Sequence, residues 1–197
     1  MIKLFNEWDT SNVEVKEKAL QPYIGLDPVL VPRSHGRYAY NRFWAVKANI
    51  VERLINRLMV PGHKGKKHFL TSSPKSGKKE NMTNVVYRVF KIIEKKMNKN
   101  PVEVLVRAIE NAAPREEITS IEYGGARYPQ AVEVAPQRRV DITLKLMVQG
   151  SFQKSFNKKR KIDECLAEEI MLAYNMDNKS SAIAKKLELE RQADASR

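Results

Sequence analysis

The side chains in this sequence weighed first for metal, nucleophilic or acid–base chemistry are three histidines, one cysteine and the neighbouring glutamates Glu168 and Glu169. His35, His63 and His68 all fall in stretches that read as loops. His63 and His68 lack the i, i+4 spacing of a helical metal pair, and no cysteine sits near them, so no zinc site is expected. Cys165 lies on an apolar helical stripe, the setting of an inert core thiol rather than a nucleophile. Glu168 and Glu169 are adjacent, so on a helix they diverge and do not converge as an acid–base pair. The run Gly62-His63-Lys64-Gly65-Lys66-Lys67 is only superficially like a phosphate-binding loop: it lacks the GxxxxGK[ST] spacing, and no strand precedes it. The expectation is therefore a protein without catalysis, without a cofactor and without a metal.

Phosphate recognition is the chemistry that the composition does support. The formal net charge is +13, an excess that points to a polyanionic partner. Its distribution is more telling, because residues 1–32 are net −2, residues 33–99 net +14 and residues 100–197 net +1. A phosphate-binding face segregates charge in this way. Within 62–80, Lys64, Lys66, Lys67, Lys75, Lys78 and Lys79 meet one acid, Glu80. Arg138 and Arg139 fall in the first turn of a helix opened by Pro136, where cations oppose the helix dipole. A phosphate met by guanidinium and helix N–H groups together would account for them. Lys158, Lys159, Arg160 and Lys161 form a further basic run. Upstream, Tyr38, Tyr40, Phe43 and Trp44 interleave with Arg33, Arg37 and Arg42, a pattern that suits either stacking on bases or packing onto the domain.

Helices must position these groups. Residues 1–45 read as an irregular N-terminal extension punctuated by Pro22, Pro28 and Pro32, and 46–197 as one mainly α domain. Val51, Leu54, Ile55, Leu58 and Met59 make the first helical stripe, ended by Pro61-Gly62. Val86, Val89, Phe90, Ile93 and Met97 make a second. Asn100, Pro101 and Glu103 open a third, buried through Val102, Leu105, Ile109 and Ala112. The period then switches to two. Thr119, Ile121 and Tyr123, then Gly124-Gly125, then Tyr128, Gln130, Val132 and Val134 predict a β-hairpin at about 118–135, with Pro129 on an edge strand. A fourth helix follows Pro136 with Val140, Leu144, Met147 and Val148 inward. A fifth buries Ile162, Cys165, Leu166 and Ile170, and a last one starts near Ser180 with Ile183 and Leu187 inward. No apolar run reaches the roughly 18 residues of a membrane span. The single cysteine and a start that turns acidic within eight residues fit a cytoplasmic protein.

One block runs from Asn100-Pro101-Val102-Glu103 to Asn111, through Ala113-Pro114-Arg115-Glu116-Glu117 and Tyr123-Gly124-Gly125, to Ala131-Val132-Glu133-Val134-Ala135-Pro136-Gln137-Arg138-Arg139-Val140-Asp141. It closely resembles the universal small-subunit ribosomal protein seven family, in its archaeal type. Ala167-Glu168-Glu169-Ile170 and Leu187-Glu188-Leu189-Glu190-Arg191 extend it. The resemblance implies a bundle of about six helices with a protruding two-stranded hairpin. It implies a structural, non-enzymatic constituent of the small ribosomal subunit. Such a protein binds the 3′ major domain of its rRNA, nucleates head assembly beside neighbouring head and platform proteins, and lies near the exit-site tRNA and mRNA. Matched by motif, Arg115, Arg138 and Arg139 occupy basic family positions, and Lys64, Lys66 and Lys67 a basic family loop. Gly124, Gly125, Arg127 and Tyr128 fall on the hairpin. Bacterial members carry basic residues before the Gly-Gly where this chain has Ile121-Glu122, and 72–79 reads as an insertion. The expected rRNA contacts are these basic residues together with Arg33, Arg37, Arg42, Lys78, Lys79, Lys158, Lys159 and Arg160. The rival reading is a free-standing basic helical DNA- or RNA-binding regulator. A helix-turn-helix dimer would need an association seam, and the sequence shows no heptad pattern.

Overall fold

Local signals start and stop the helices. The computed structural model describes residues 2–64, 67–68, 72 and 74–197. Among these residues there are six α-helices: α1 Ile50–Leu58, α2 Lys79–Met97, α3 Pro101–Ala112, α4 Pro136–Ser155, α5 Ile162–Tyr174 and α6 Ser181–Asp194. Asn49, Asn100 and Ser180 cap α1, α3 and α6 by accepting from Val51, Val102 and Ile183 N–H groups. Asn100 has a second role, since its Nδ2 donates to the Asp9 carbonyl at 2.6 Å. Asn100→Ala should therefore lower stability by about 1–2 kcal/mol in a denaturant titration; a midpoint equal to wild type would mean that neither contact is stabilising.

Helix α5 is the hub. It packs against α2, α3 and α4, and accordingly its buried residues, Asp163, Cys165, Leu166, Ala167, Glu169, Ile170 and Ala173, run round most of its surface. Burial pushes the Cys165 thiol pKa up, as expected for an inert core cysteine. Helix α4 must come close to the start of α6, and Gly150 permits it: a Cβ there would lie 1.7 Å from Ser181 Oγ. Between α4 and α6 sits Glu169, fully buried. It accepts from Ser180 Oγ at 2.9 Å, from Ser181 N and Oγ at 2.6 Å each, and from Lys154 Nζ at 2.7 Å. Its neighbour Glu168 points away to Arg160.

Strands β3 (Glu116–Tyr123) and β4 (Ala126–Glu133) pair antiparallel with Tyr123 opposite Ala126. Gly124 and Gly125 turn the chain at φ +58° and +80°, the two left-handed positions that a tight hairpin turn demands. The base of this ribbon is held. β3 packs on α6, Val134 N–H donates to the Arg115 carbonyl, and Arg197 bonds Glu116. From Thr119 to Gln130 every residue is exposed. Pro129 faces Ser120, three pairs out from the closing Tyr123–Ala126 pair and so at a position that donates no bond to β3, and its missing N–H costs no ladder bond.

Three expectations change. The segment read as an extension contributes to the core, because Leu4, Trp8, Val13, Leu20 and Ile24 are buried in the same cluster as the helices. Trp8 makes edge-on contact with Phe90 at 5.4 Å between ring centroids. The stretch read as a continuous loop holds a short antiparallel ladder, β1 (His63–Lys64) with β2 (Lys67–His68), and its last residues belong to α2. Leu187 is 42% exposed rather than inward, since the buried contribution of α6 comes from Ala182, Ile183 and Ala193.

Candidate nucleic-acid interface

The cations expected to meet RNA separate into two groups. Arg33, Arg37, Arg42, Lys78, Arg115, Lys158 and Lys159 are exposed. Arg138 and Arg160 are exposed but paired, Arg138 with both oxygens of Glu117 at 2.7 and 2.9 Å and Arg160 with Glu168 at 2.6 Å. These carboxylates hold the guanidinium pKa values above the ordinary arginine range. The backbones of Lys64 and Lys67 face one another across the β1–β2 ladder, as do those of His63 and His68. Lys66 and the side chains of Lys64 and Lys67 lie outside the described residues.

Two cations turn inward. Arg139 is 6% exposed; its Nε donates to the Pro114 carbonyl at 2.9 Å and its Nη1 meets Glu17 at 2.7 Å. It ties the N-terminal segment to the start of α4. Lys79 pairs with the buried Glu52, which also accepts from the Ser34 N–H and hydroxyl. Burial alone would raise the Glu52 pKa, but the ammonium and these donors outweigh it and hold the carboxyl below its ordinary value. Arg139, buried, and Lys79, half-buried, both act as connectors between segments, whatever their proximity to the basic face.

Of the aromatics of 38–44, Tyr38 is half-buried and the others do not pack away. Tyr40 is 87% and Phe43 65% exposed. Arg42 lies over the Phe43 ring at 5.2 Å and Lys47 over Trp44 at 4.5 Å. Phe43 has φ +73°, a left-handed conformation that costs a bulky residue on the order of 1–3 kcal/mol. It lines the rim of an open cleft of about 630 Å3 with Arg42, Arg57, Gln137, Arg138, Asp141 and Lys145. Asp141, the acid of this cleft, is bonded to Arg53 at 3.2 Å and meets Arg57 at 3.6 Å. Arg57 and Lys145 were not among the expected contacts. Each lies on the outward side of a helix, and nothing in the linear spacing announces that α1 and α4 bring them together with Arg42.

The hairpin is the second exposed element. Tyr123 is 81% and Tyr128 57% exposed, and Arg127 meets Glu122 at 3.5 Å across the strands. A rigid helical core that presents exposed cations, unpacked aromatics and a projecting ribbon has the build of a nucleic-acid-binding protein. Residues 21–197 match the family described as ribosomal protein S7p/S5e, and the chain is 53% identical over 196 residues to a small ribosomal subunit protein uS7 of Nanoarchaeum equitans (strain Kin4-M), spanning 100% of this chain and 99% of that one. The chain belongs to the ribosomal protein S7p/S5e family.

Proposed function

We propose that this protein is a structural constituent of the small ribosomal subunit. It binds the 3′ major domain of the rRNA, nucleates assembly of the head and places its hairpin beside the exit-site tRNA and the mRNA path. Family membership, with a full-length relative named as a small-subunit protein, carries the reading. The segregated surface supports it: exposed Arg33, Arg37, Arg42, Arg57, Lys78, Arg115, Lys158 and Lys159 suit phosphate contacts. Lys64, Lys66 and Lys67 would add to them. The place of action is the cytoplasmic ribosome; among the described residues no helix is long and apolar enough to cross a membrane. Cosedimentation with small subunits at moderate salt tests the assignment, and a free regulator would stay in the supernatant.

The hairpin permits a finer test. Its outer half buries nothing, so excising 123–128 and rejoining the strands should leave the melting temperature within about 2 °C, since surface changes are usually worth about 0.5 kcal/mol or less. Affinity for an isolated rRNA fragment should also hold, while reconstituted subunits lose exit-site tRNA. Retained tRNA with collapsed rRNA affinity would make the ribbon an rRNA anchor instead.

A further inference from the structure

The cleft bordered by residues 42–43, α1 and α4 combines features that recognition of a continuous RNA duplex does not require. Duplex RNA is recognised through phosphates, 2′-hydroxyls and shape, whereas unstacked bases are taken up on aromatic rings and guanidinium planes. Phe43 is 65% exposed and takes no part in the buried core that holds Trp8 and Phe90. It is held at φ +73°, a conformation that a bulky side chain adopts only where its surroundings impose it. Arg42 lies against the ring at 5.2 Å and lines the same cleft. The cleft volume, about 630 Å3, falls in the range of about 300–1,000 Å3 typical of sites that enclose one small ligand. Arg57 and Lys145 line it too, and Arg57 remains 45% exposed beside its loose contact with Asp141.

We propose that this cleft seats one unstacked nucleotide of the RNA, its base on Phe43 and the Arg42 guanidinium, its neighbouring phosphates on Arg57 and Lys145. The inference rests on the rRNA-binding reading and names what that surface selects: an unpaired position rather than a stretch of helix. Asp141 serves as the fixed acid that aims Arg57, and Arg138 stands at the rim, held by Glu117.

The test uses the full chain and a transcript of the 3′ major domain of small-subunit rRNA. Affinity is measured by filter binding, nucleotide flexibility by 2′-hydroxyl acylation and folding by thermal melting. Among the nucleotides whose reactivity wild type alters, one unpaired nucleotide should owe its change to Phe43. Phe43→Leu should abolish that change and weaken binding about tenfold or more, the effect of losing one base–aromatic stack, without lowering the melting temperature. Phe43→Tyr, which keeps the ring, should behave as wild type. The Arg57→Gln/Lys145→Gln double variant should weaken binding and reduce the salt slope by roughly two. If wild type binds the transcript and Phe43→Leu binds within about twofold with the same reactivity pattern, the nucleotide site is refuted while rRNA binding stands. If Phe43→Tyr fails as badly as Phe43→Leu, the ring is not a stacking platform. If wild type does not bind the transcript, the rRNA reading fails first and the cleft assignment with it.

Discussion

Affinity for the cognate rRNA fragment should fall about 10³–10⁵-fold between roughly 50 and 200 mM salt, because each neutralised phosphate releases condensed counterions. The segment 33–99, net +14, motivates the size of the effect, and six to ten phosphate contacts correspond to a log–log slope of roughly −5 to −9. The variants should divide along the line drawn by burial. Replacing exposed Lys158 and Lys159 together should flatten the slope by up to about two units. Replacing Arg139, sealed between Pro114 and Glu17, should instead cost stability. A titration with a slope near zero would remove phosphate contacts as the source of affinity, whatever the charge distribution.

The largest stability effect is expected from Glu169→Ala. Glu169 is fully buried, and one of its oxygens gathers the donors at the start of α6 while the other meets Lys154. Removing it leaves an ammonium and several N–H and O–H groups without their acceptor. Breaking a buried pair in this way costs about 3–5 kcal/mol, or about 6–20 °C in melting temperature for a chain of this size. Glu169→Gln keeps an acceptor and should lose less. A thermal scan in which the alanine variant melts within about 2 °C of wild type would show that α6 is fixed by its apolar contacts alone.

The helices were legible because their signals are local. Asn100-Pro101 and Ser180 mark helix starts within a few residues, and Gly124-Gly125 can hardly be other than a turn between two alternating runs. What escaped is set by partners distant in the chain. Leu4, Trp8 and Leu20 follow no helical period, so the core that they enter through α2 and α3 left no mark on their spacing. Arg139 reads as a surface cation until Glu17 is placed beside it. Lys79 reads as one more lysine of a basic loop until the buried Glu52 is seen to face it. The charge segregation that announced an RNA-binding surface is a property of the sequence. The convergence of Arg42, Arg57 and Lys145 on one cleft is a property of helix packing, for which no short-range pattern exists.

The burial of Leu4 and Trp8 against residues some eighty to ninety positions later bears on how the chain is made. At about 5–20 residues per second, several seconds of elongation separate their emergence from that of Tyr87, Phe90 and Asn100. For that interval the first apolar residues synthesised lack their partners in α2 and α3, and the segment 33–99, net +14, emerges in the meantime. The nascent chain is therefore both sticky and strongly charged at the stage when it is least folded, a state that favours early engagement by a chaperone or by RNA itself. Synthesis runs from the amino terminus, but closure of this core has to wait for α3.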